Sequence, residues 1–333
     1  VVKALLIGDP HVVPQELDDC LALKQLVLDT LKKNDLDTVI ITGDCYHSHS
    51  VLSTVCVDYW NGFFDEVGQN VSSIVAVLGN HDFFSPSIMN PHALICHKKG
   101  HKKLTIVDKP TELFPGVAAL PYYYDPVKFM EACSDLTGKT LICHQTFDGA
   151  RYTDGFYAKD AINPVAVPFD NIISGHVHTP HAFGKVWYAG SPRWRTLSDA
   201  NQDRFLYVVE FDGAGNYRIV ESISTSPACK KIVKFVDQEG SEPTVITVPQ
   251  NADVRIDIFG SSDYISKKTL AYKAAYKAKC RSFPTRVKQS KVSESDGIAV
   301  SFGKFSKGFN PPKGTDLNLL MDAANERLSV LGV

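Results

Sequence analysis

The stretch Ile74-Val75-Ala76-Val77-Leu78-Gly79-Asn80-His81-Asp82 runs five apolar residues directly into a tight polar turn rich in metal-ligand side chains. A short apolar run bounded by Gly reads as a buried strand, and the polar turn marks its carboxyl end. The same pattern occurs on both sides of it. Ala4 to Ile7 leads into Gly8-Asp9-Pro10-His11, and Val39-Ile40-Ile41 into Thr42-Gly43-Asp44. Leu141-Ile142-Cys143 leads into His144, and Ile172-Ile173 into Ser174-Gly175-His176-Val177-His178. Leu17, Leu21, Leu28 and Leu31 fall between the first two strands at helical spacing. This is how βα units read, and in layered α/β folds sites form where strand ends meet. The five ends are therefore expected to converge on one crevice.

Asp9, His11, Asp44, Asn80, His144, His176 and His178 offer seven nitrogen or oxygen ligands, enough for two metals that share a bridging carboxylate and keep open positions. No thiolate belongs to the set. Carboxylate and imidazole suit Mn²⁺, Fe²⁺ or Zn²⁺ in a catalytic site, and differ from the cysteine donors of a closed structural zinc site.

The order Asp-x-His, Gly-Asp, Gly-Asn-His-Asp, His, Gly-His-x-His resembles the calcineurin-like metallophosphoesterases. That resemblance implies an α/β four-layer sandwich, with two central sheets flanked by helices. It implies one metal on Asp9, His11 and His178, a second on Asn80, His144 and His176, and Asp44 bridging them. It also makes His81 the catalytic histidine that binds no metal but stabilises charge on phosphorus and protonates the leaving alkoxide. Within the superfamily the chain is most similar to the nuclease subunit of SbcCD-type complexes, which process DNA breaks. Three further segments carry this likeness. His47 stands three residues after Asp44, where that subfamily has a DNA-orienting histidine. Ala119-Leu120-Pro121-Tyr122 matches a Leu-Pro-Tyr segment, and Tyr188-Ala189-Gly190-Ser191-Pro192 a Gly-Ser block. His11, however, is followed by Val12-Val13-Pro14 in place of the usual Leu-Gly.

The 333 residues allow about two domains at about 150 residues each. The expected division is a nuclease domain over 1–225, a small α+β DNA-capping domain over 226–307, and a linker with a partner-binding helix over 308–333. Arg204 to Phe211 and Tyr217 to Ser222 read as a strand pair that closes the first domain. A β-α-β unit is expected from Val254 to Phe259, near Ser266 to Cys280, and from Gly297 to Phe302. The formal charge of −2 conceals an asymmetry: Tyr264 to Lys313 holds twelve Lys or Arg against Glu294 and Asp296. A polyanion-binding appendage on an acidic body explains it. Lys273 and Lys277, with His47, Arg193 and Arg195 nearer the site, are the candidate DNA contacts; Ile265, Tyr272 and Tyr276 share a helix face that is read as core. His92, His97 and His101 among Lys98, Lys99, Lys102 and Lys103 read as a surface loop.

The longest apolar runs have five residues, against about 20 for a membrane span, so neither a span nor a signal-peptide core is expected. Eight scattered cysteines without a Cys-x-x-Cys pair suit reduced thiols in the cytoplasm. A helix over Val51 to Val67 has a narrow polar stripe of Thr54, Asp58, Asn61 and Asp65, and apolar residues around most of the remaining circumference. That excess needs a second cover, from a neighbouring helix, the capping domain or a partner chain, and the resemblance, whose nuclease subunits dimerise through helices of this domain, implies a homodimer. The function expected from the whole is a two-metal, Mn²⁺-dependent DNA exonuclease or endonuclease in DNA repair or recombination, partnered by an SMC-like ABC-type ATPase. The alternatives are a small-nucleotide phosphodiesterase and a non-catalytic scaffold.

Overall fold

A computed structural model describes residues 1–153, 155–242, 246–248 and 252–284. In chain order the elements are β1 (Val2–Ile7), α1 (Leu17–Lys33), β2 (Thr38–Ile41), α2 (Thr54–Gly68), β3 (Ser73–Val77), β4 (Leu104–Val107), β5 (Thr111–Phe114) and β6 (Val117–Ala119). There follow α3 (Pro126–Ser134), β7 (Thr140–His144), β8 (Arg151–Thr153), β9 (Phe156–Tyr157), β10 (Asn171–Gly175), β11 (His181–Phe183) and β12 (Val186–Tyr188). The last are β13 (Phe205–Phe211), β14 (Tyr217–Ser224), β15 (Ile232–Gln238), β16 (Asp253–Gly260), α4 (Ser262–Tyr276) and β17 (Lys279–Pro284).

Two six-stranded mixed sheets, ordered β14-β13-β1-β2-β3-β4 and β11-β12-β10-β7-β6-β5, form the centre. Alternation along each strand divides its side chains between two cores. In β1, Ala4 and Leu6 point between the sheets to meet Ile142 and Ile173, while Leu5 and Ile7 point outward to α1 and α2. Leu141, Cys143 and Ile172 point to the opposite outer layer with Phe129 of α3. Helix, sheet, sheet, helix is the expected four-layer sandwich. β1, β2, β3 and β4 run parallel, as do β6, β7, β10 and β12, so their carboxyl ends open on one edge. The expected strand pair is present as β13 and β14, antiparallel to each other, and β13 is also antiparallel to β1.

α1 has Asp18 and Asp19 in its first turn and Lys32 and Lys33 in its last, complementing the helix dipole. Its buried face includes Cys20, Leu23, Val27, Leu28 and Leu31, with Leu17 packed against the same core, and of the expected leucines Leu21 alone, 41% exposed, lies off it. α2 begins three residues later than the apolar pattern suggests. Its Cys56, Tyr59, Trp60, Phe63, Phe64 and Val67 are all buried within this chain. Tyr59 donates to the Cys20 carbonyl of α1 at 3.1 Å, and Phe64 meets the rings of His97 and His101. The cover that suggested a second copy is supplied internally, which removes the structural ground for the homodimer. The histidine segment is also corrected. His92 and His97 are buried, with His97 set between the Tyr46 hydroxyl and the Asn61 carbonyl, each at 2.8 Å.

β15, β16 and β17 form a separate three-stranded parallel sheet with α4 on one face. Its core contains Val233, Val254, Ile256, Ile258 and Ile265. α4 ends at Tyr276 instead of Cys280, and the following strand is Lys279–Pro284. The expected strand at Gly297 to Phe302, the Gly308–Gly314 linker and the terminal helix lie outside the described residues. Among the described residues no helix is long and apolar enough to cross a membrane.

Candidate metal centre

The five strand ends meet as expected. Asp9 and His11 follow β1, Asp44 follows β2, Asn80 and His81 form a single 3₁₀ turn after β3, His144 ends β7, and His176 and His178 follow β10. Three compact groups result: Asp9 with His11 and His178, Asp44 with His144 and His176, and His11 with His47 and His81; the first two match the ligand sets that the resemblance implies. The Asp44 Oδ2 lies 3.4 Å from His11 Nε2 and 3.4 Å from His144 Nε2, so one carboxylate oxygen joins the first two groups. Asn80 Oδ1 is 3.1 Å from His144 Nε2 and 2.8 Å from His176 Nδ1. His11 Nε2 and His178 Nε2 stand 2.9 Å apart.

Electron pairs converge here without enough protons to satisfy them. His144 Nδ1 is 2.9 Å from the Thr42 carbonyl, which can only accept, so Nδ1 carries the hydrogen. Nε2 then faces Asn80 and Asp44 as the position that would offer a lone pair once a cation displaces its proton. Asp9 Oδ1 is buried with no hydrogen-bond partner. These features fit a cation in each of the first two groups. Burial raises Asp9 to about 7. Burial also works against the Asp44 carboxylate, but His144 and His11 outweigh it and hold its pKa well below the usual range. For His144, burial favours the neutral ring, yet Asp44 and Asp9 prevail and raise it to about 9. The site draws positive charge. Burial depresses His176 to about 3 and His178 to about 4, and pushes His11 well below its ordinary value, keeping these rings in their ligand form.

The backbone is bent to achieve this. His11, Asp44 and His176 have φ of 46°, 50° and 82°, a left-handed region that non-glycine residues occupy at a cost. Gly79 allows the turn to close: a Cβ there would lie 2.1 Å from Asp44 Oδ1 and 2.4 Å from its backbone nitrogen. Asp82 fastens the same turns by accepting from Gly79 N at 3.0 Å, Tyr46 N at 3.0 Å and Cys45 N at 3.2 Å. The unusual Val12-Val13-Pro14 segment pairs with the Asp44 turn, His11 N donating to Asp44 O at 2.9 Å and Val12 N to Cys45 O at 3.0 Å. The Gly-Ser block supports the first motif from beneath, Ser191 Oγ donating to Asp9 O at 2.9 Å.

His81 donates its backbone N–H to Asp44 Oδ1 at 2.8 Å, and its Nδ1 lies 2.6 Å from the His47 carbonyl. His47 Nδ1 is 3.4 Å from His11 Nδ1 and 2.9 Å from Arg195 Nη1, which puts His47 and Arg195 at the cluster's edge. Arg193 is different. It is fully buried, binding the carbonyls of Pro10 and His11 and the carboxylates of Glu16 and Asp19, and is unavailable to DNA. Lys273 is exposed on α4, whereas Lys277 is the left-handed residue that caps the helix and lies off its face. Ile265 is core and Tyr272 bonds Asp237 at 2.8 Å, but Tyr276 is exposed. Among the basic residues of this unit, Lys268, Lys279 and Arg281 pair with Asp237, Asp253 and Asp257, so part of the positive charge is neutralised locally. Sequence reasoning missed Asp82, His49, which stacks on His81, and Tyr122 as a ring stacked on His176 at 5.7 Å. For His49 a signal was present, the His-Ser-His run after the bridging aspartate.

A family model for calcineurin-like phosphoesterases matches residues 2–180. The chain is 22% identical over 227 residues to exonuclease subunit 1 of Enterobacteria phage T4, covering 63% of this chain and 65% of that protein's length. It is 24% identical over 255 residues to phosphoesterase 244L of Invertebrate iridescent virus 6, covering 71% of this chain and 86% of the relative. The nuclease MPE of Pseudomonas putida superposes with a TM-score of 0.31 at 16% identity, over 65% of this chain and 85% of that one.

Proposed function

Because the chain belongs to the calcineurin-like phosphoesterase family, we propose that it is a DNA nuclease that hydrolyses phosphodiesters with two divalent cations, Mn²⁺ foremost. The observation that carries this reading is the meeting of two ligand groups at the single oxygen Asp44 Oδ2. Asp9, His11 and His178 would hold one cation and Asn80, His144 and His176 the other, with Asp44 placed to serve both. When bound, such a pair supplies a nucleophile at neutral pH and offsets charge on the phosphoryl oxygens.

The chain's own residues do the rest. His81 spends its Nδ1–H on the His47 carbonyl, which leaves Nε2 as the edge that gives a proton to the departing alkoxide. Arg195, held by Glu16 at 3.2 Å, and His47 beside it contact the substrate backbone. DNA as substrate is supported by the exonuclease relative and by the exposed cation Lys273 of the small unit. That unit, taken from residue 226 onward, acts as the capping domain. Residues 308–333 join an SMC-like ABC-type ATPase, in DNA repair or recombination. Eight free cysteines, six of them buried, suit a cytoplasmic setting.

The test is cleavage of end-labelled duplex DNA with Mn²⁺ by the wild-type protein and by His81→Ala, with metal content measured on the same samples. Cleavage by the wild type, lost in the variant at full metal occupancy, is expected. Turnover of small diesters with no action on DNA would favour a small-nucleotide phosphodiesterase instead.

A further inference from the structure

His81 has two other imidazoles nearly parallel to it. The His47 ring is 5.0 Å away at 13° to it, and the His49 ring 4.6 Å away at 19°. His11 meets the edge of the stack at 4.9 Å and 90°. His49 belongs to none of the three groups of converging ligand atoms, so its position has no explanation in metal binding.

We propose that His49 is a positioning residue whose ring, stacked on His81, aims the proton-donating Nε2 edge of His81 at the leaving oxygen. The inference rests on the phosphodiester hydrolysis proposed above. The single hydrogen bond from Nδ1 to the His47 carbonyl fixes one atom of the His81 ring and leaves the ring free to pivot about it. The His49 ring, lying nearly parallel to His81 at 4.6 Å, restricts that pivot. A proton donor acts only within hydrogen-bond reach of the oxygen, and a misplacement of about 1 Å can cost up to about 10²-fold in rate. The flat faces do the positioning, so a benzene ring in place of the imidazole should serve.

The test compares His49→Ala and His49→Phe with the wild type on two substrates. Linear DNA leaves as an alkoxide that needs a proton; bis(p-nitrophenyl) phosphate leaves as a stable phenolate that needs none. His49→Ala is expected to lose about tenfold in kcat on DNA with KM and metal content retained, to lose much less on the nitrophenyl diester, and to be rescued by His49→Phe. Equal losses on both substrates, an undiminished kcat on DNA, or a His49→Phe variant as impaired as His49→Ala would overturn it. The His81 Cε1–H resonance of the metal-free protein gives a readout independent of turnover. It should move in His49→Ala and stay in the ring-current range in His49→Phe; an unmoved signal in His49→Ala also overturns the proposal. If the wild type cleaves no phosphodiester, the proposed function fails, and the resonance alone decides whether His49 orients His81.

Discussion

The strand-end cluster and the three-stranded unit are both rich in charge, but they hold it in opposite ways. Around Asp9, His11, Asp44 and His144 the side chains are at most 2% exposed, and three of the site's residues have left-handed backbones. In the small unit, Arg281 and Lys279 remain 54% and 63% exposed while pairing with Asp257 and Asp253. Buried ligands fixed by strained turns form one arrangement, at a cost in local stability that the surrounding sheets repay. Exposed ion pairs contribute little to stability and exchange partners readily. The first region suits metal-assisted chemistry, and the second is proposed to serve adjustable attraction to a polyanion.

The largest effect should follow from removing the shared oxygen. Asp44→Ala is expected to abolish phosphodiester hydrolysis and to lower bound Mn²⁺ below two per chain, read by elemental analysis and by turnover. An active variant with two metals would dissolve the distinction between the regions.

Arg193 sharpens it, because its expected role in DNA contact gave way to a structural one. Arg193→Ala leaves the carbonyls of Pro10 and His11 without this partner, Glu16 with Arg195 alone, and Asp19 with only the Lys230 backbone N–H. A loss of about 3–5 kcal/mol in denaturant unfolding is expected. Unchanged stability with weakened DNA binding would return Arg193 to the substrate surface.

His97 gives a smaller, pH-dependent effect. Burial, with help from His101, lowers it from 6.5 to about 4, so the folded protein holds the neutral ring. The unfolded chain takes up the proton first as pH falls. The stability His97 contributes is therefore complete above pH 6.5 and is lost as pH drops towards 4. Thermal unfolding of His97→Gln should fall less steeply across that window than that of the wild type; identical slopes would contradict the burial argument.

The smallest effect belongs to the second region. Lys273→Ala should leave catalysis of a small diester intact and flatten the salt dependence of DNA affinity, by about 0.9 in the log–log slope if it neutralises one phosphate. An unchanged slope would place the DNA surface elsewhere.

The sequence made the catalytic half legible because each buried strand there is a short apolar run, and each ends on a residue type that buried surfaces otherwise avoid. Asp9, Asp44 and His144 could be read together for that reason, through the order of the blocks they end. Burial of polar residues away from strand ends was opaque. Nothing local to Arg193 or His97 reveals that Pro10, Glu16 and Asp19, or Tyr46 and Asn61, will enclose them. β17 was hidden because the Ala-Tyr-Lys-Ala-Ala-Tyr run before it continues a helical pattern past Tyr276, where Lys277 turns left-handed and ends it. The three-ring stack escaped notice because His47 and His49 converge on His81 only through the fold.

The account stands on the claim that Asp44 joins two cations into one centre. Electron paramagnetic resonance of the metal-free protein titrated with Mn²⁺ tests it directly. Two equivalents bound per chain with a spin-coupled multiline signal, replaced by an uncoupled spectrum in Asp44→Ala, is the expected result. A six-line signal of isolated Mn²⁺ at every loading of the wild-type protein would contradict it.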